Sequence, residues 1–182
     1  MSDRFDPVDV FWQASRHLAK SAFVRAYPHA FLVECEGGAE PRATDRDFET
    51  VTSGSKDDRE RFQRSLQVTL KSRVIPIAKD RTQAFPDKIT VGRTLNNDLV
   101  LRHTSVSKFH GYFFVDPTTF DVTLVDAGST NGTFVNNVRL PAMGKRVLKN
   151  GDAVSFGGDT DYLFLFAADL YSRVQILQRF AK

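Results

Sequence analysis

Five side chains in the middle of the sequence are of the types that hold an anion. Arg93 follows Gly92, Ser107 and Lys108 shortly precede His110, and Thr130 and Asn131 lie between Ser129 and Gly132. A phosphate group needs positive charge with planar donors, hydroxyl or amide donors for its remaining lone pairs, and backbone N–H groups that approach closely. Arg93 and Lys108 meet the first need, Ser107 and Thr130 the second, and the glycine-flanked backbone around Asn131 the third. No group in the set has to change its covalent bonding, which suits recognition. Ser107 and His110 make a poor nucleophile and base, because no nucleophile elbow or acid partner accompanies them. Metal-ligand spacing is absent as well.

Groups scattered over such a length of chain must be brought together by the elements between them. From Val74 onward, short apolar runs alternate with turn residues: Val74–Ala78, Ile89–Val91, Leu99–Leu101, Gly111–Val115, Val122–Val125, Thr133–Val135, Ala153–Phe156 and Tyr162–Phe166. Regular short strands of this kind predict an antiparallel sandwich or barrel, whose connecting loops gather at its two ends. An earlier strand is expected over 29–36, closed by Gly37-Gly38. Asp6 and Pro7 read as the cap and first turn of a helix carrying Phe11, Leu18 and Ala22 and ending at Pro28. Phe62, Leu66 and Leu70 form a second helical stripe after Ser55, although 66–70 also alternates as a strand would. Leu170, Val174 and Leu177 mark a short C-terminal helix expected to pack back on the sandwich.

Composition sets outer limits. The 182 residues are 41% hydrophobic and 26% charged and include 16 Phe, enough for one substantial core. A net charge of +3 permits an acidic partner without demanding one, and no base-reading motif suggests nucleic acid. The single cysteine, Cys35, excludes an intramolecular disulfide and a Cys-rich zinc site, and reads as a small apolar residue. The N-terminus, with alternating charges and no unbroken apolar stretch, predicts neither a signal peptide nor a membrane anchor. A cytoplasmic protein is the expectation.

The ordered set Gly92-Arg93, Ser107-x-x-His110 and Ser129-Thr130-Asn131-Gly132-Thr133 resembles the signature of the forkhead-associated (FHA) family. The flanking segments are similar too: Ile89-Thr90-Val91, Asn97-Asp98-Leu99-Val100-Leu101, and Leu148-Lys149-Asn150-Gly151-Asp152 before Val154-Ser155-Phe156-Gly157. The likeness runs at least from Val74 to Phe166. It implies an all-β protein, an eleven-stranded antiparallel β-sandwich whose apical loops bind an extended phosphothreonine peptide. To this we add an N-terminal helical extension over 1–28, a polar or helical insertion at about 39–72 within a sandwich spanning 29–167, and a C-terminal helix over 168–182.

Residue by residue, the resemblance makes Arg93 and Ser107 the phosphate-binding pair and Lys108 a further phosphate donor. Thr130 lines the phosphothreonine pocket, where room for the threonine methyl disfavours phosphoserine, and Asn131 holds the peptide main chain. Gly92, His110 and Gly132 shape the loops; His110 is expected to brace its loop by hydrogen bonding. No catalytic residue, metal or cofactor is implied. The partner is a phosphothreonine-containing protein or peptide, a Ser/Thr kinase or its substrate, with neither nucleic acid nor membrane involved. Asn136-Asn137 departs from the family's usual Asn-Gly, but Asn tolerates the left-handed region, so the turn should survive. Preference for the third residue after phosphothreonine would be set near Thr104–Val106 and Asn136–Arg139. The alternative is a phospho-independent scaffold using the fold and its helical extensions as an interface. Phosphorylation of Thr44, Thr50 or Thr52 would offer an intramolecular ligand.

Overall fold

The structure, a computed structural model, describes residues 6–35, 68–69, 71–79, 85–159 and 161–180. The stripe Phe62, Leu66 and Leu70, the insertion up to its last few residues, and Thr44, Thr50 and Thr52 lie outside the described residues.

Two sheets face each other. In chain order the strands are β1 (Asp6–Pro7), β2 (Ala30–Glu34), β3 (Arg73–Ile77), β4 (Ile89–Gly92), β5 (Leu99–Val100), β6 (Gly111–Val115), β7 (Val122–Asp126), β8 (Thr133–Val135), β9 (Val138–Arg139), β10 (Lys145–Val147), β11 (Ala153–Phe156) and β12 (Asp161–Phe166). One sheet runs β1-β3-β2-β12-β11-β8-β9 and the other β10-β7-β6-β4-β5. The sandwich proper, β2 to β12, is the expected eleven-stranded fold. All its pairs are antiparallel except β4 with β5, which run parallel with Val91 beside Leu99.

Period-two alternation explains the packing, because successive side chains on a strand point to opposite faces. On β12, Phe164 points between the sheets, in register with Leu32 of β2 and Ile75 of β3. Together with Val91, Phe113, Leu124, Val154 and Phe156 they form the inner core. The next row, Leu163, Val33 and Val74, points the other way and is equally buried. Both faces of this sheet therefore need cover, which is why 162–166 reads as an unbroken apolar run.

The outer face is covered by helices: α1 (Val8–His17), α2 (Lys20–Ala26) and α3 (Ala167–Phe180). Val8, Phe11, Phe23, Leu170 and Val174 join Phe31, Leu163 and Leu165 in a second core. In place of the single helix expected from Asp6 to Pro28 there are a short strand and two helices. Asp6 and Pro7 pair with Val74 and Arg73 as an edge strand, a position where a proline's missing N–H costs nothing. The helical path then breaks at Ala19, whose ψ of 154° is extended. Helix α3 meets the N-terminal helices as well as the sheet. Tyr171 Oη donates to the Leu18 carbonyl at 3.3 Å, Gln175 Nε2 donates to the Ser15 carbonyl at 3.0 Å, and the Phe23 and Tyr171 rings cross edge to face. No helix among the described residues is long and apolar enough to cross a membrane.

Candidate phosphate-binding site

Three loops carry the motif residues: 93–98 after β4, 101–110 before β6, and 127–132 between β7 and β8. They meet at Ser107. The Arg93 amide donates to the Ser107 carbonyl at 2.9 Å, and the Thr130 amide donates to Ser107 Oγ at 3.1 Å. The Ser107 hydroxyl in turn lies 3.3 Å from Thr130 Oγ1. Asn131 ties the same loops together further along the rim, its Nδ2 donating to the Ser105 carbonyl at 2.8 Å. All the residues expected to contact phosphopeptide thus come together on one rim: Arg93, Ser107, Lys108, Thr130 and Asn131.

Each loop has its own internal support. Gly92 is buried where a Cβ would fall inside the contact distance of the Lys108 carbonyl and the Asn97 amide, so the chain can pass only without a side chain. That carbonyl accepts from Asn97 Nδ2 and from Thr94 Oγ1, both at 2.8 Å, which fixes the backbone beside Lys108. Asp98 secures the far end of the first loop. Its Oδ2 accepts from the Thr90 amide at 2.7 Å and hydroxyl at 2.9 Å, and it pairs with Lys79 Nζ at 2.9 Å. Gly132, at φ 85°, lets the third loop turn beneath the Arg139 side chain. Asn136 and Asn137 adopt φ values of 51° and 65°, so the Asn-Asn pair makes the left-handed hairpin turn expected of it.

His110 is fully buried and serves as a bracket. Its Nδ1 accepts from the Ser107 amide at 3.1 Å, which places the proton of the neutral ring on Nε2. Burial pushes the His110 pKa below its ordinary value, and the Asp126 carboxylate only partly offsets this. Nε2 makes no close hydrogen bond and faces Asp126 Oδ2 at 4.0 Å. Asp126 was not singled out from the sequence. Burial raises its carboxyl pKa, but hydroxyl donors from Ser129 and Thr133 and the Ser129 and Gly128 amides outweigh that and hold it below the usual range.

The electrostatic result follows. Two carboxylates at these loops, Asp98 and Asp126, are turned inward and buried, the first with a side chain of 0% exposure, while the exposed Asp159 lies 3.4 Å from His103 Nδ1. Arg93 and Lys108 are exposed, and their side chains have no partner among the described residues. Such a rim offers cations and hydroxyls to an anion while turning the Asp98 and Asp126 charges inward.

Residues 89–157 match the family model described as the FHA domain. The chain is 36% identical over 84 residues to the DNA damage response protein kinase DUN1 of Saccharomyces cerevisiae, covering 43% of this chain and 16% of that one. It is 41% identical over 68 residues to the glycogen accumulation regulator GarA of Mycobacterium tuberculosis, covering 37% and 39%. The chain thus spans less than half the length of these relatives. Among solved structures, the MEK1 FHA domain in complex with a HOP1 phosphothreonine peptide aligns at 28% identity and a TM-score of 0.40, covering 51% of this chain and 87% of that one. The FHA domain of the CT664 protein from Chlamydia trachomatis aligns at 18% identity and a TM-score of 0.45, covering 75% and 96%. FHA domains are binding modules, and in kinase relatives the match covers the FHA part alone. The likeness to the FHA domain family is thus carried by residues 89–157.

Proposed function

We propose that the chain binds phosphothreonine in partner proteins and is a reader of Ser/Thr-kinase activity, not an enzyme. The observation that carries this is the junction at Ser107, where the Arg93 amide, the Thr130 amide and the Thr130 hydroxyl all converge on one residue. In this reading the Arg93 guanidinium forks onto two phosphate oxygens, and Ser107 Oγ turns from Thr130 to donate to a third. Lys108 adds a second charge against a group carrying about −1.5 to −2 near neutral pH. Thr130 packs beside the threonine methyl. Asn131 Oδ1, which has no partner among the described residues, accepts a peptide N–H while Nδ2 stays on Ser105.

The partner is a phosphorylated Ser/Thr kinase or a kinase substrate, met in the cytoplasm, with no metal, cofactor, nucleic acid or membrane required. We propose the division into an extension over 1–28, a sandwich over 29–167 with an insertion at about 39–72, and a C-terminal helix over 168–182. The helices of the two terminal pieces act as a cover for the outer face of the seven-stranded sheet. Matched phosphothreonine, phosphoserine and unphosphorylated peptides from an oriented library, titrated against the full chain, test the proposal. Preference in that order supports it, and equal affinities across the three overturn it.

A further inference from the structure

The geometry points to Asp126 as a positioning residue for the candidate site, one carboxylate that sets both ends of the third loop and, through His110, the Ser107 amide. It rests on the phosphate-binding reading of these loops, since what it positions is the Ser107 and Thr130 pair.

The support is a set of contacts around one buried side chain. Asp126 Oδ1 accepts from the Gly128 amide at 2.8 Å and the Ser129 amide at 3.0 Å. Oδ2 accepts from Ser129 Oγ and from Thr133 Oγ1, both at 2.6 Å. Gly128 and Ser129 begin the loop and Thr133 ends it, so both ends are anchored at one point. Thr130 and Asn131, the two residues facing the ligand, are left at the crest between them. Short bonds to a charged acceptor in a dry setting are strong, and they hold the crest at a fixed height above Ser107.

The second route runs through the imidazole. His110 Nδ1 must be unprotonated to accept the Ser107 amide, so the ring proton sits on Nε2. Asp126 Oδ2 lies 4.0 Å from Nε2 and the Gly132 carbonyl also approaches the ring; both favour that tautomer, and Asp126 Oδ2 is the charged one of the two. The imidazole is also held edge to face against Phe156, which leaves it little freedom to turn away. Asp126 therefore acts on Thr130 through the loop it anchors and on Ser107 through the tautomer it favours together with the Gly132 carbonyl. The loop glycines and His110 were expected to have structural roles from the motif, whereas this hub lies just outside it.

The test uses the full chain, isotopically labelled, with Asp126→Asn, Thr133→Val and, as a control, Val122→Ala, a buried change on the same strand remote from the carboxylate. Two quantities are read: the imidazole nitrogen shifts of His110, which report the tautomer, and affinity for a phosphothreonine peptide taken from the oriented library. Asp126→Asn presents an amide NH2 toward His110 or the loop donors. The expectation is a shift of the His110 proton toward Nδ1 and a 10- to 100-fold loss of affinity. Thr133→Val, which keeps the carboxylate and removes one donor, should weaken binding several-fold with the tautomer unchanged. Val122→Ala should lower the melting temperature and leave both readouts where they were. Wild-type affinity together with an unchanged tautomer in Asp126→Asn overturns the inference; if that variant does not fold, undiminished affinity in Thr133→Val overturns it. Should the wild type itself ignore the peptide, the phosphothreonine reading fails, and the nitrogen shifts still decide the role of Asp126.

Discussion

Ser107 and His110 face each other across a single turn of loop, the Ser107 amide donating to His110 Nδ1 at 3.1 Å. The serine proposed to meet phosphate is therefore held from below by a ring that cannot take up a proton on Nδ1 without releasing it. The histidine of the Ser-x-x-His motif is a support for its loop, and its burial favours the neutral ring.

That relationship gives stability a pH dependence. The folded pKa of His110 is lowered from 6.5, so below that pH the unfolded chain binds a proton that the folded chain refuses. Stability from this source is complete above pH 6.5 and is lost as pH falls toward the folded value. The loss is about 1.4 kcal/mol per unit of separation between the two pKa values. Urea midpoints from pH 8 to 5 for the wild type and His110→Gln check this, with the variant showing the shallower dependence.

Asp98 closes the first loop from inside the fold. Asp98→Ala removes the carboxylate that the Thr90 amide and hydroxyl and the Lys79 ammonium share, and should cost about 3 to 5 kcal/mol, as expected for breaking a buried charged pair. Lys79→Ala should cost clearly less, because the Thr90 donors remain on the carboxylate. Chemical denaturation of both variants measures the difference.

Asn131 is exposed, and its hydrogen bond to the Ser105 carbonyl links two loops at the rim. Asn131→Ala should change stability by less than about 1 kcal/mol, as for other exposed substitutions. It should nonetheless weaken phosphothreonine-peptide binding by roughly tenfold, the equivalent of about 1.4 kcal/mol. Calorimetric binding and thermal melts on one preparation separate the two effects.

The helical cover and the rim are opposite in purpose. Phe23 is fully buried against Phe11, Tyr27 and Tyr171, and Phe23→Ala should cost about 3 to 5 kcal/mol through lost packing and the cavity left behind. Affinity of the folded fraction for a phosphothreonine peptide should stay at the wild-type value. Peptide binding well below the melting temperature provides the measurement, and reduced affinity there would show that the cover reaches the rim.

Much of this architecture is legible before folding, for identifiable reasons. The strands β6, β8 and β11 carry apolar residues in short runs bounded by turns, and the three loop motifs retain their meaning because Arg93, Ser107 and Asn131 occur in a set order between those strands. Other features leave weak traces. Strands β9 and β10 are two and three residues long, and Lys145–Val147 is exposed throughout, so neither shows an apolar pattern. Asp6-Pro7 has the composition of a helix start and is drawn into an edge strand by β3, a partner far away in sequence. The break at Ala19 has no proline or glycine to announce it. Asp126 ends an ordinary strand, and its importance appears only when Ser129, Thr133 and His110 close around it.

The central claim is that Arg93 and the Ser107 junction form a phosphate cup. Titrating one phosphothreonine peptide and its unphosphorylated twin against the wild type and Arg93→Ala tests it most directly. The account predicts strong preference for the phosphorylated form in the wild type and a loss of about one to two decades of affinity in Arg93→Ala, from removing a charge-assisted contact worth about 1.5 to 3 kcal/mol. Arg93→Ala binding the phosphorylated peptide as tightly as the wild type would contradict it.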